Sequence, residues 1–187
     1  MGLKRGPMTI QDIETVLVEA ARLSNHRNFV IAGSLSVIGA VIRPPEDMLM
    51  SRDVDIYTKL DPGRVFLEIA EQIAEGSPFH VKQGFYADPI SPAILSLPEG
   101  WEARLISVTL AQGVVANFID PNDMAVAKLA RSESNDIRWV TSGVKAGIVK
   151  LDTVEARLKE THDILKTDLK KAKSAIRAIR SNLAEGS

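Results

Sequence analysis

Phe29-Val30-Ile31-Ala32-Gly33-Ser34 is the stretch on which the reading of this chain turns. Four consecutive apolar residues closed by a turn signal suit a strand buried on both faces. The apolar run from Leu35 to Ile42 then reads as a short helix. A strand that ends in Gly-Ser and opens into a helix can cradle an anion. Glycine lets the backbone approach a phosphate closely, the serine hydroxyl can bond its oxygen, and a helix N-terminus favours negative charge. The same residues also make an ordinary strand-to-helix turn, so their meaning depends on what stands beside them.

The next strand supplies that neighbour. Arg52-Asp53-Val54-Asp55-Ile56-Tyr57-Thr58 alternates polar and apolar residues, the period of a half-buried strand. Residues two apart on a strand share a face, which sets the carboxylates of Asp53 and Asp55 side by side. Such a pair repels itself unless a cation sits between its members. Close hard oxygen ligands suit Mg²⁺ (or Mn²⁺), which completes its shell with water and substrate phosphate. The chemistry that uses this arrangement is phosphoryl or nucleotidyl transfer. One Asp-x-Asp arises by chance in a chain of about this length. Its pairing with the Gly-Ser turn on a preceding strand is what carries weight.

Outward from these two strands the elements alternate. Thr9 and Asp12 form a variant capping box for a helix whose apolar face is Ile13, Val16, Leu17, Ala20, Ala21 and Leu23. Arg43 to Asp47, with its paired prolines, breaks the helix after the Gly-Ser turn. Asp61-Pro62-Gly63 turns the chain into a helix over 63–75, and Phe79 to Ala87 reads as a further strand. A loop carrying Pro89, Pro92 and Pro98 leads to two strands, 104–110 and 114–119, joined at Gln112-Gly113 as a hairpin. Asp120-Pro121-Asn122-Asp123 starts a helix, since proline is tolerated in the first turn. Beyond it the chain is helical, with interruptions at Ser142-Gly143 and Ala146-Gly147, and Leu151 to about Leu183 forms one long final element. The pattern predicts an α+β fold: a mixed sheet with flanking helices over 8–122, then a helical segment over 123–187 packed on that core.

Composition bounds the remaining possibilities. The chain has 187 residues with 45% hydrophobic and 25% charged, values ordinary for a packed globular protein. A formal charge of −1 supplies no global field for nucleic acid. The absence of cysteine excludes disulfides and thiolate metal sites and fits a cytoplasmic setting. No apolar run reaches the roughly 20 residues of a membrane span, and Met1 to Pro7 lacks the apolar stretch of a secretory signal. Charge is uneven: residues 1–149 hold 14 Lys+Arg against 18 Asp+Glu, and residues 150–187 hold 9 against 6. Lys166, Lys170, Lys171, Lys173, Arg177 and Arg180 near the C-terminus read as the polar face of an amphipathic helix, or as an RNA-binding stripe. The apolar side of that helix could dock on the domain, on a protein partner or on a second copy.

Gly33-Ser34 followed by Asp53-Val54-Asp55-Ile56 resembles the signature of the polymerase-β-like nucleotidyltransferase superfamily. Leu97 to Leu105, Asp123-Met124-Ala125-Val126-Ala127-Lys128-Leu129-Ala130-Arg131 and Asn135-Asp136-Ile137 make the chain similar to bacterial nucleotidyltransferase domains of unknown function, and to AbiEii-like toxin nucleotidyltransferases. The resemblance covers about residues 28–145 and implies the minimal nucleotidyltransferase fold. It also implies transfer of a nucleoside monophosphate from a nucleoside triphosphate to a hydroxyl on a small molecule, protein or RNA. By the same resemblance Gly33 and Ser34 hold the nucleotide phosphates, and Asp53 and Asp55 bind Mg²⁺. Lys128 meets the triphosphate, and Asp136 is a base or orienting group. On one continuous helix Lys128 and Asp136 would lie about 80° apart after two turns, sharing a broad face. Two residues compete for the third carboxylate of the signature: Asp88, ending the 79–87 strand, and Glu102. The spacing of 18 residues between Ser34 and Asp53 exceeds the usual pattern, and Arg43 to Met50 reads as the insertion. Were no third acid to face the pair, the chain would instead be a degenerate, non-catalytic partner, as in a toxin-antitoxin pair.

Overall fold

In the computed structural model, which describes residues 6–60 and 62–185, five short strands form one mixed sheet in the order β3-β2-β1-β5-β4. The strands are β1 (Asn28–Ile31), β2 (Asp53–Tyr57), β3 (Tyr86–Pro89), β4 (Ile106–Thr109) and β5 (Val115–Phe118). β1 runs antiparallel to β2 and parallel to β5; β2 is parallel to β3, and β4–β5 is an antiparallel hairpin. Phe29, Ile31, Val54, Ile56, Ala116 and Phe118 are buried and belong to a single apolar core. Asp53 and Asp55 alternate with Val54 and Ile56, which sets the two carboxylates on the opposite face of the sheet.

Helix α1 (Ile10–Ser24) begins as the sequence requires. Thr9 Oγ1 accepts from the Asp12 N–H at 3.3 Å, and Asp12 Oδ2 accepts from the Thr9 N–H at 3.0 Å. The run after Gly33 is a 3-10 helix, Ser34–Gly39, and a second one, Glu46–Met48, lies within the 43–50 segment. Helix α2 (Pro62–Gln72) follows β2; Asp61, in the expected turn, lies outside the described residues.

Three expectations are corrected. The 79–87 stretch is not one strand: its first part is helix α3 (Pro78–Gln83), and only Tyr86 onward is β3. Ser77 caps α3 by accepting from the His80 N–H, Pro78 opens it, and Gly84 at φ 75° ends it, so local capping chemistry overrode the apolar pattern. Ser142-Gly143 does not interrupt helix α5 (Ser134–Lys145). A Cβ on Gly143 would lie 2.7 Å from Val149 Cγ2, so this glycine serves close packing, and Gly147 at φ 72° is the residue past the helix end. The final element is two helices, α6 (Leu151–Lys159) and α7 (Lys166–Glu185). Both pack on α4 (Pro121–Arg131). An unbroken helix over 151–183 would be about 50 Å long against about 16 Å for α4, so the break lets both halves cover it.

Helix α4 crosses the expected boundary at 122/123. Asp120 caps it, accepting from the Asn122 and Asp123 N–H groups, and Met124, Ala125, Val126 and Leu129 bury themselves in the core. Among the described residues no helix is long and apolar enough to cross a membrane.

Candidate metal and nucleotide site

The parallel register of β2 and β3 sets Asp55 opposite Asp88, and Asp53 stands two residues before Asp55 on the same face. One carboxylate oxygen from each of Asp53, Asp55 and Asp88 lies within 4.8 Å of the others. Of the two residues expected to compete for the third position, Asp88 is therefore beside the pair. Glu102 is not: it sits in the 3-10 turn Trp101–Arg104, where Lys59 Nζ lies 3.5 Å from its exposed carboxylate.

The Gly33 turn meets the same cluster. The Ala32 N–H donates to the Asp55 carbonyl at 3.0 Å, which brings the end of β1 alongside Asp55. A Cβ on Gly33 would lie 1.6 Å from Asp55 Oδ2, and Gly33 has φ 63° and ψ −157°, a conformation essentially restricted to glycine. Backbone shape and the approach of the carboxylate both demand a residue with no side chain. Asp53 accepts a hydrogen bond from the Ser51 hydroxyl, which orients its carboxylate.

Opposite the carboxylates stand cations from α4. Lys128 is 4% exposed; its Nζ donates to Ser34 Oγ at 3.1 Å and to Asp136 Oδ1 at 3.2 Å, and it lies 5.2 Å from the centre of the Trp139 ring. Arg131 grips Asp136 with two hydrogen bonds of 2.7 Å. Trp139 is buried, and its Nε1 donates to the Ser34 carbonyl at 3.1 Å. Lys128 and Asp136 do not share one continuous helix. Ser132 at φ 56° ends α4, and Asp136 lies in the first turn of α5. The break turns Asp136 back onto Lys128, giving contact where one helix would leave the two side chains apart. Asp136 also accepts from the Glu133 N–H, so it caps α5 while it binds the two cations.

The titration behaviour of these groups follows from their surroundings. Burial, then the charges of Asp53 and Asp88, push the Asp55 carboxyl up to about 7, against the opposing pull of Lys128 and Arg131. Asp88 is raised by burial, then by Asp53 and Glu75. For Asp136 burial works upward, but the Arg131 hydrogen bonds and the Lys128 charge outweigh it and hold the carboxyl below its usual range. Burial draws Lys128 downward, with Asp136 resisting. The two acidic positions thus differ in kind: Asp136 is neutralised by protein cations, and Asp53, Asp55 and Asp88 are not. Among the described residues none of those three forms an ion pair, and their mutual proximity is the environment a divalent cation relieves.

These groups line one cavity of about 700 Å³, a volume suited to a nucleotide-sized ligand. Gly33, Ser34, Asp53, Asp55, Lys128 and Asp136, all named from the sequence, lie on its wall together with Asp88. Arg131 lines the cavity too, with its guanidinium bound to Asp136. Ser51, Asn135, Asp168 and Lys171 line the cavity without having been singled out for the site. Ser51 lies two positions before Asp53, a spacing that offers a hint. Asp168 and Lys171 lie on the first turns of α7, far along the chain, and no local pattern marks them.

Residues 10–180 match the family described as "Nucleotidyltransferase of unknown function (DUF6036)". No curated protein and no solved structure matches the chain. With the match spanning nearly the whole length, the chain belongs to this family of nucleotidyltransferases of unknown function.

Proposed function

We propose that this protein transfers a nucleoside monophosphate from a nucleoside triphosphate to a hydroxyl acceptor in a reaction that needs Mg²⁺ or Mn²⁺. The observation that supports it best is the trio Asp53, Asp55 and Asp88, gathered within 4.8 Å beside the Gly33-Ser34 turn with, among the described residues, no protein cation paired to it. Those three carboxylates would hold the metal. When bound, it would neutralise phosphate charge and lower the pKa of the attacking hydroxyl.

The protein's own groups have separate tasks. Gly33 lets the Asp55 carboxylate close against the turn, and Ser34 presents a hydroxyl that Lys128 already bonds. Lys128, fixed between Asp136 and Ser34, provides a positive charge whose position is set before substrate arrives. Arg131 and Asp136 are positioning residues: their paired hydrogen bonds hold the ends of α4 and α5 together behind Lys128. The charge of the cavity lining supports a metal requirement. Six carboxylates (Asp53, Asp55, Asp88, Glu133, Asp136 and Asp168) face three cations (Lys128, Arg131 and Lys171), and a lone triphosphate would be repelled. Asp88 beside Asp55 supports catalysis over the non-catalytic reading, which expected no third acid there.

Calorimetry of ATP, CTP, GTP and UTP binding with Mg²⁺, on the native chain and on Asp53→Ala/Asp55→Ala, tests this. The native chain should bind at least one nucleotide in a strictly Mg²⁺-dependent manner, and the double variant should bind it at least about tenfold more weakly. Equal binding by both, or none by the native chain, would overturn the proposal.

A further inference from the structure

A two-substrate transfer needs a place for the acceptor as well as for the nucleotide, and a second cavity meets the first at the carboxylates. It has a volume of about 490 Å³ and shares Ser34, Ser51, Asp53 and Asn135 with the larger one. Asp55, Asp88 and Lys128 line only the larger cavity, and Asp47, Met50, Arg52, Arg138 and Trp139 line only the second. Asp53, oriented by Ser51, stands on the edge common to both.

We infer that this second cavity is the acceptor pocket, and that it takes a small hydroxyl compound carrying one anionic group. The inference rests on the nucleotidyl-transfer reading above. In-line displacement at phosphorus brings nucleophile and leaving group in from opposite sides, so two cavities joined across the carboxylates match its geometry. The acceptor oxygen forms its bond to the α-phosphorus, and the bond from that phosphorus to the bridging oxygen breaks. Pyrophosphate leaves with the electron pair, and the hydroxyl proton passes to water.

The walls favour this ligand class. Asp47 and Met50 belong to the unusual segment between the Gly-Ser turn and β2, so the inserted residues build a wall of the pocket. Met50, 62% exposed, offers apolar surface for a short carbon skeleton, and the buried Trp139 backs the pocket. Arg138 is exposed, with its guanidinium held by Asn135 Oδ1 at 3.2 Å, and it has donors left for a carboxylate or phosphate. With Asp53 given to the metal, the remaining charges are Arg52 and Arg138 against Asp47. The volume lies in the lower half of the range for small-ligand sites, about 300–1,000 Å³.

The probe is glycerol 3-phosphate, titrated into the full chain with Mg²⁺ and a non-hydrolysable ATP or CTP analogue, and followed by the NMR signals of the Met50 methyl and the Trp139 indole. Both signals should shift saturably. Arg138→Ala should weaken the probe about tenfold or more, Arg138→Lys should recover part of the loss, and analogue affinity should be unchanged in both. If the analogue binds but the probe moves neither signal, or Arg138→Ala binds the probe like the native chain, the acceptor pocket is overturned and nucleotide transfer stands. Probe binding without any nucleotide binding overturns the transfer reading and its acceptor role together, leaving an anion pocket. A single-stranded RNA hexamer shifting both signals at a hundredfold lower concentration would overturn the small-molecule assignment.

Discussion

Two acidic clusters on this chain hold similar residues and have opposite surroundings. Asp120 and Asp123, at the start of α4, are met by guanidinium groups. Arg104 donates to the fully buried Asp123 at 2.8 and 3.1 Å, and Arg157 lies 3.0 Å from Asp123 and also donates to Asp120. Asp53, Asp55 and Asp88 bring carboxylate oxygens within 4.8 Å of one another, and no arginine or lysine among the described residues pairs with them. The first cluster ties α4 to α6 and to the turn before β4. The second leaves unfavourable charge at the end of a rigid sheet. What distinguishes a candidate site is the missing protein counter-charge, since acids gather in both.

That contrast can be broken most sharply at Asp123. Asp123→Asn should destabilise the fold by about 3–5 kcal/mol in chemical denaturation, because it removes the buried anion that two guanidiniums share. Asp53→Asn, by contrast, should leave stability equal or raised in the absence of divalent cation, since it relieves repulsion. A large loss for both would erase the distinction. Next in size, Gly33→Ala should cost at least about 2 kcal/mol, from the left-handed backbone and the collision with Asp55. Its thermal transition should fall while its helix content by circular dichroism stays native.

The pH dependence is the most diagnostic. The Asp55 carboxyl, raised in the fold to about 7 from an ordinary value near 3.8, favours the folded state fully below the unfolded value. That contribution is lost as pH rises through about 7. In metal-free buffer the native chain should therefore lose stability between pH 4 and 7 more steeply than Asp55→Asn. Millimolar Mg²⁺ at pH 8 should raise the melting temperature of the native chain and not of the variant. Parallel pH profiles for the two proteins would show that Asp55 does not carry the strain assigned to it.

Much of this was legible along the chain, and the reasons are local. The alternation in Asp53 to Tyr57 fixed which face the carboxylates share, and the Gly33-Ser34 turn announced itself by composition. Asp88 was one of two candidates, because the strand register that sets it opposite Asp55 is a tertiary fact. Lys128 and Asp136 were both named from the sequence, but on one helix they would share a face without touching, and their contact depends on the break between α4 and α5. A serine at φ 56° is an uncommon helix stop, and nothing in Arg131-Ser132-Glu133 requires one. Lys171 reads from the sequence as part of a polar helix face or an RNA-binding stripe, and its neighbour Asp168 carries no local mark. They reach the cavity because α7 lies along α4, a packing that depends on the break after α6.

The bend at Ser132 has a bearing on how ligands would arrive. Since Lys128, Arg131 and Asp136 are already fastened to one another across it, that side of the cleft offers little slack to be taken up on association. Little ordering entropy would be lost there, and any adaptation would fall to the proline-containing strap at Ile90–Ser96 on the far wall. Discrimination among nucleobases would then be found along that strap, with the charged side acting as a fixed anvil common to all of them.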